Sequence, residues 1–476
     1  MIAVFNFELK KYKTNVRTEV IAGLVTFVTM AYIIIVNQSI LSMTGIPAGA
    51  VILATCIAAA IGTFMMALAN VPYAQAPGMG LNAFFTFTVC FGLGFSWQQA
   101  LAMVFICGII NLVITVTRVR KFIIASIPSS LQSAIGAGIG IFIAYIGIKD
   151  AGLLSFTSDP GTYLMLGDGD PLTSTIVAGS GAVPGLVAIN TLPLVMAVGS
   201  IILMALLMVT NVPGAILVSI IISTLVGALL GMTSFDFTTY FDGLGNSFGQ
   251  LGSVFGVSVL AIPSLFADPS KLLVVIATIF AFSLTDTFDT IGTFIGTGRS
   301  TGIFTEKEID NMAHTKGFET RLDKALLADA TATSIGSLFG TSNTTTYVES
   351  AAGIAAGGRT GLTALTTSLC FVASIVLAPL VLAVPGWATA PALIIVGVLM
   401  AAPLKDINWK DLSEAIPAFF AATMMAFFYS ITTGIAFGFI FYCLTKLVTG
   451  KVKEIHPVLA VVTLLFLLNF IVSAAL

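Results

Sequence analysis

Gly340-Thr341-Ser342-Asn343-Thr344-Thr345-Thr346-Tyr347 interrupts one apolar run of this chain, and Ala76-Pro77-Gly78-Met79-Gly80-Leu81-Asn82 interrupts another. The second lies in the third apolar run of the first half, the first in the third run of the second half. Both runs are short and broken. Non-helical backbone at membrane depth is tolerated only where it is buried in protein or lines a water-filled cavity. Paired interruptions at matching places in two halves point to a binding site near the membrane midplane.

The rest of the chain makes the membrane reading necessary. Of 476 residues, 57% are hydrophobic and 9% charged, and the mean hydropathy is +1.05. A soluble domain carries about 25% charged residues, so the bilayer must solvate most of this surface. Apolar runs long enough to span are read at roughly 20–41, 49–70, 72–93, 97–117, 124–149, 185–209, 212–232, 270–298, 322–340, 343–357, 361–384, 388–403, 413–431 and 433–449. A further apolar segment, 456–475, follows.

Charge tests the count. Lys10, Lys11, Lys13 and Arg17 precede the first span, so the N-terminus is expected in the cytoplasm. Alternation then puts Arg118, Arg120, Lys121, Arg299 to Lys324, Arg359, Lys405, Lys410, Lys446, Lys451 and Lys453 inside. The connectors 150–184 and 233–269 fall outside, with only Lys149 and Lys271 near that face. Seven spans on either side of residue 240 give the halves opposite orientation, the mark of inverted repeats. The expectation is an all-α integral membrane protein of about fourteen transmembrane helices: a first seven-helix repeat over 1–240, a second over 241–455, and an additional C-terminal apolar segment over 456–476. It belongs in the cell (inner or plasma) membrane as a multi-pass protein.

Several functions are excluded or set aside. Net charge is −2, which argues for no nucleic-acid partner. Cys56, Cys90, Cys107, Cys370 and Cys443 lie in apolar runs without CxxC spacing and read as small packing residues. The two histidines, His314 and His456, rule out HExxH zinc chemistry, and His314 reads as a solvated residue. No GxxxxGK[ST] loop occurs, so an ATP-driven pump is not expected. Met1 to Arg17 is mixed and charged, unlike a cleaved signal peptide. Thr305 and Glu308 fit a capping box that would open a short surface helix. Gly136, Gly138 and Gly140, and the Gly434/Gly438 pair, read as close helix packing rather than phosphate loops. No cofactor or metal is called for.

Ionisable residues within spans are costly, about 2.5–3.5 kcal/mol each on insertion scales. Asp286 and Asp289 lie in Phe282-Ser-Leu-Thr-Asp-Thr-Phe-Asp-Thr-Ile-Gly-Thr, and Glu349 follows the second break. Asp286, Asp289 and Thr293 are spaced i, i+3, i+7 and share a helix face. Asn82 closes the first break. If the breaks meet, these groups converge on a cavity of carboxylates, an amide and freed backbone amides. Such a cavity suits a neutral, planar, hydrogen-bonding solute. A carboxyl taken out of water favours its neutral form, which makes Asp289, Asp286 and Glu349 candidate proton carriers. Asp329, near a span boundary, reads as a structural bond to a neighbouring helix. Phe84, Phe85 and Phe87 offer rings on which a base would stack, against a background of 36 phenylalanines that mostly pack lipid and core.

Arg17-Thr-Glu-Val-Ile-Ala-Gly, Ala76-Pro-Gly-Met-Gly-Leu-Asn-Ala, Phe288-Asp-Thr-Ile-Gly-Thr and Thr341-Ser-Asn-Thr-Thr-Thr-Tyr-Val-Glu-Ser together resemble the nucleobase–cation symporter-2 family, in its AzgA-like branch of hypoxanthine, guanine and adenine permeases. The resemblance runs from about residue 5 to 450. It implies core and gate domains, and short strands in the third and tenth spans that meet around the substrate. It also implies purine nucleobases as substrates and a proton as coupling ion, with sodium left open. The family's acid in the eighth helix falls on Asp289 and its tenth-helix glutamate on Glu349; the branch's Gly-Leu-Asn falls on Gly80 to Asn82. The substrate-binding set is then Asp289, Glu349, Asn82, Gly80, Thr346, Phe84 and Thr293. Uracil carriers of the wider family have histidine where this chain has Thr293, which fits the purine branch instead. Membrane lipid is the surrounding partner, and a homodimer is allowed. Two rivals share the architecture. An anion transporter or exchanger would want a basic group at the breaks, and neither break holds Lys or Arg. A nucleobase channel would differ in not concentrating its solute.

Overall fold

The computed structural model describes residues 7–117, 128–158, 163–166, 175–178, 182–233, 240–301, 303–304 and 320–475. The first apolar run forms α1 (Val16–Met30), capped by the Asn15 side chain, and α2 (Tyr32–Leu41), which part at Ala31. Next comes α3 (Ala48–Leu68). The first broken run folds as a strand, β1 (Gln75–Pro77), a short helix, α4 (Met79–Ala83), and a nine-residue π-helix, Phe84–Gly92. π-Helical turns are rare and gather at functional sites. The helices α5 (Trp97–Thr117) and α6 (Ser129–Asp150) follow.

The connector after α6 departs from an all-α reading. Within it β2 (Leu154–Ser158), β3 (Tyr163–Leu166), β4 (Thr175–Ala178) and β5 (Ala182–Leu186) form two antiparallel ladders, β2 with β5 and β3 with β4. Leu154 and Phe156 alternate with Ser155 and Thr157, the two-residue period of a strand. The alternation is too short to stand out beside the Gly-, Ser- and Asp-rich flanks. The chain goes on through α7 (Leu192–Val209) and α8 (Ala215–Leu229). The connector after α8 contains a helix, α9 (Tyr240–Val254).

The second half begins with α10 (Leu272–Thr301), 30 residues long. The following helix, α11 (Arg321–Phe339), opens on a capping box between Thr320 and Asp323 and ends at Gly340. Strand β6 (Thr344–Thr346), the short helix α12 (Ser350–Ala355) and α13 (Gly361–Ser374) follow. The chain closes with α14 (Gly386–Met400), α15 (Leu412–Phe427), α16 (Ile431–Val448) and α17 (Pro457–Ala475). Among the described residues, seven helices are long and apolar enough to cross a membrane, with five shorter apolar helices beside them. The expected surface helix at Thr305 and Glu308, His314, Arg118, Arg120 and Lys121 lie outside the described residues. All five cysteines are unbonded, and Cys56, Cys107 and Cys443 are buried.

Packing sorts the helices into two bundles. In one, α1 and α3 pack on α13, α3 and α5 pack on α11, and α10 joins through α5. In the other, α6 packs on α14 and α15, α15 on α16, α14 on α7, and α7 on α8. Each bundle draws helices from both halves of the sequence. Glycines allow the close approaches of the second bundle. A Cβ on Gly138 would meet Ala422 Cα at 2.8 Å, and one on Gly434 the Ala421 carbonyl oxygen at 2.9 Å. In the first bundle, α13 begins on a carboxylate supplied by α1. The fully buried Glu19 accepts the backbone N–H groups of Arg359 (2.9 Å) and Thr360 (3.2 Å) and the Thr363 hydroxyl (2.6 Å). A negative charge at a helix N-terminus is favourable.

Candidate substrate site

The two breaks meet. Strands β1 and β6 pair antiparallel, with Gln75 opposite Thr346, Ala76 opposite Thr345 and Pro77 opposite Thr344. Pro77 has no N–H to give such a ladder, but the pairing is extended at both ends. Gly78 donates its N–H to the Asn343 carbonyl (2.9 Å), and Tyr347 donates to the Ala74 carbonyl (3.0 Å). The Tyr347 hydroxyl reaches the Pro77 carbonyl at 2.5 Å. These bonds satisfy backbone groups that the broken helices leave open. Gly340 makes the turn into the second break: its φ is +100°, and a Cβ there would meet Val254 Cγ1 at 2.2 Å.

Strand alternation divides the threonines of β6 between two sides. Thr345 turns to α10, its hydroxyl 3.4 Å from Asp289 Oδ2. Thr346 turns to α11 and donates to Asp329 Oδ1 at 2.8 Å. Asp329 also accepts from Gln75 Nε2 (3.1 Å) and, through Oδ2, from the Thr290 hydroxyl (2.7 Å). It is buried, and it ties β1, β6, α10 and α11 into one unit.

The other candidate residues sort by depth. Asp289 is exposed although it lies mid-helix in α10, and Glu349, two residues beyond Tyr347, is partly exposed. Between the crossing and Glu349, Val348 is 57% exposed. The accessible carboxylates next to β6 are thus Asp289 and Glu349, and the space before them is the candidate opening. Asp286, one turn earlier on α10, is 1% exposed and belongs behind this opening. It accepts from Asn111 Nδ2 (2.8 Å) and the Thr333 hydroxyl (3.2 Å), while Ser283 donates to the Asn111 amide oxygen. Asn82 is fully buried and accepts from the Ser342 hydroxyl, so it joins one break to the other. Phe84 is buried edge-on against Phe282, with ring centroids 4.6 Å apart. Gly80 faces the second bundle, where a Cβ would lie 2.7 Å from Ile139 Cγ2. Thr293 is buried, 8% exposed.

Sequence reasoning missed three contributors. Tyr32, the first residue of α2, donates its hydroxyl to Glu349 Oε1 at 2.6 Å. A tyrosine within an apolar run carries no signal that separates it from packing. Thr345 was one of three consecutive threonines with nothing to single it out. Asn111, an amide inside an apolar run, was legible as a polar group in lipid and went unused. Among the described residues, no cluster of three His, Cys, Asp or Glu side chains is placed to hold a metal. No Lys or Arg among them bonds Asp289 or Glu349. The opening therefore offers acceptors to a solute's N–H groups, with a hydroxyl and strand backbone beside them.

The profile of the Permease family matches residues 17–437. The adenine permease AdeP of Escherichia coli K12 is 40% identical over 466 residues, covering 98% of this chain and 95% of that protein. The guanine/hypoxanthine permease PbuO of Bacillus subtilis 168 is 38% identical, covering 98% of this chain and 100% of that one. Among solved structures, the transmembrane domain of the cyanobacterial bicarbonate transporter BicA aligns with a TM-score of 0.58, covering 89% of this chain and 97% of that one. Its 13% identity makes this a likeness of fold alone.

Proposed function

The chain belongs to the Permease family, in the purine-permease branch that its four motifs resemble, and from that premise we propose that it imports purine nucleobases by proton symport with alternating access. The observation that supports the reading is the placement of Asp289 and Glu349 beside the β1–β6 crossing, both of them accessible. Adenine, guanine and hypoxanthine all present ring or exocyclic N–H groups that a carboxylate accepts. The names of relatives sharing 40% and 38% of residues over nearly the whole chain support purines as the solute class.

The architecture we assign is fourteen spans in two inverted repeats, residues 1–240 and 241–455, with the N-terminus in the cytoplasm. The bundle holding the crossing is the core that carries substrate, and the bundle built on α6, α14, α15 and α16 is the gate. Asp289 takes the proton when the site faces outside and releases it inside; Asp286 is the reserve carrier. The base bonds Asp289 and Glu349. Asn82, Gly80, Thr346, Phe84 and Thr293 shape the surround, with Asn82 and Thr346 fixing the two breaks. The likeness to a bicarbonate carrier extends to fold only, and among the described residues no Lys or Arg bonds these carboxylates, as an anion site would want.

The test is uptake of labelled adenine, guanine, hypoxanthine, xanthine and uracil in a host lacking its own carriers. Accumulation of the first three that collapses with a protonophore is the expected result. Equilibration without accumulation would make the protein a channel, and uptake of bicarbonate without purines would move it to the anion carriers.

A further inference from the structure

Glu349 bears on the opening from an irregular stretch. It lies between β6 and the six-residue helix α12, where no long element fixes its side chain. What holds it comes from the far end of the sequence. The Tyr32 hydroxyl donates to Oε1 at 2.6 Å, a short bond to a charged acceptor of the kind that is about twice as strong as a neutral one. Tyr32 is itself held. It starts α2 immediately after the discontinuity at Ala31, and its ring is 1% exposed. Glu349 remains partly exposed. The tyrosine is thus too deep to touch a solute in the opening, while the carboxylate it grips is not.

We infer that Tyr32 is the positioning residue of the substrate site: it takes one oxygen of Glu349 and turns the other, Oε2, toward the N–H edge of the base. The bond removes the rotation of a glutamate's terminal torsion, which is otherwise broad. It thereby fixes where the acceptor stands before the solute arrives, which lowers the ordering cost of binding. It also joins the first span of one half to the broken third span of the other, so the site is built by both halves. This inference rests on Glu349 as a base-binding group.

The test is Tyr32→Phe, which keeps the ring and deletes the hydroxyl. KM for adenine, guanine and hypoxanthine should rise about tenfold, the loss of roughly one charged hydrogen bond, while surface expression, melting temperature and maximal rate stay near the parent's. Glu349→Gln should weaken binding at least as much. In the double variant, Tyr32→Phe should add nothing further, because its effect passes through the carboxylate. Additive losses, or a lowered maximal rate and melting temperature at unchanged KM, would show an ordinary packing residue and overturn the inference. If Glu349→Gln weakens uptake and Tyr32→Phe does not, the positioning role falls and the substrate reading stands. If Glu349→Gln leaves KM unchanged, the substrate reading itself falls. Should Tyr32→Phe fail to reach the membrane, 4-fluorophenylalanine at position 32 fills the place of the hydroxyl without a donor; unchanged KM for all three bases would then decide against the proposal.

Discussion

A membrane makes an acidic side chain expensive, so Asp289 and Glu349 each demand a reason. Geometry adds what each reason is. Asp329 has three donors and is buried, which fits a structural bond between elements. Asp286 has Asn111 and Thr333 and is equally deep. Asp289 has only the Thr345 hydroxyl at 3.4 Å among its described bonds, and it is exposed. Two predictions belong to this scale. Glu349→Gln should raise KM for purines tenfold or more, since a hydrogen bond to a charged group is worth about 1.5–3 kcal/mol; transport assays with matched surface expression measure it. Asp289→Asn in reconstituted vesicles should lose accumulation driven by a pH gradient and keep exchange of internal for external base. Survival of pH-driven accumulation there, with its loss in Asp286→Asn, would reverse the roles of the two aspartates. The polar partners Tyr32 and Thr345 were not legible, because nothing in a one-dimensional pattern says that residues 32 and 349 adjoin.

The interrupted runs were the most legible elements. Glycine, proline and a cluster of threonines announce a break wherever they fall in an apolar run, and both breaks are extended and paired in space. The long connectors after α6 and α8 were the least legible. Short ladders at 154–186 and the helix at Tyr240–Val254 lie in polar, glycine-bearing sequence whose periodicity is faint. Glu19 shows the intermediate case. It stands in the first turn of α1, but its partner, the start of α13 some 340 residues on, is not legible in the sequence. Because Glu19 is fully buried and accepts three bonds, Glu19→Ala would leave the Arg359 and Thr360 N–H groups and the Thr363 hydroxyl without their acceptor. Each orphaned buried donor costs about 1–3 kcal/mol. Thermal melting in detergent should fall by several degrees, with KM for purines unchanged in the protein that remains folded. An unaltered melting temperature would mean that water replaces the carboxylate at no cost.

At the scale of the molecule, charge bears on orientation and packing bears on motion. Basic connectors gather on one side of the span count, so a cysteine at position 170 should label from outside and one at position 310 only from inside, in a background without native cysteines; labelling of both from one side would break the repeat assignment. Motion calls for a different measurement. Alternating access in a two-bundle carrier requires the bundle that holds the crossing to shift against the other. The two touch where Gly80 of α4 faces Ile139 of α6, and a Cβ at Gly80 would stand 3.9 Å from the Ile139 Cβ. That separation is close to the mean for a disulfide, about 3.8 Å. Replacing Ile139 also removes the Cγ2 atom that would otherwise crowd a new side chain at Gly80. The pair Gly80→Cys with Ile139→Cys should therefore form a disulfide readily under mild oxidation. Because the bond would pin one bundle to the other, both accumulation and exchange should stop on oxidation and return with reductant. Neither single cysteine should respond. Exchange that continues at the parent rate through a fully formed disulfide would mean that the crossing does not slide past α6 during transport, and the site would then have to open by movement of some other element.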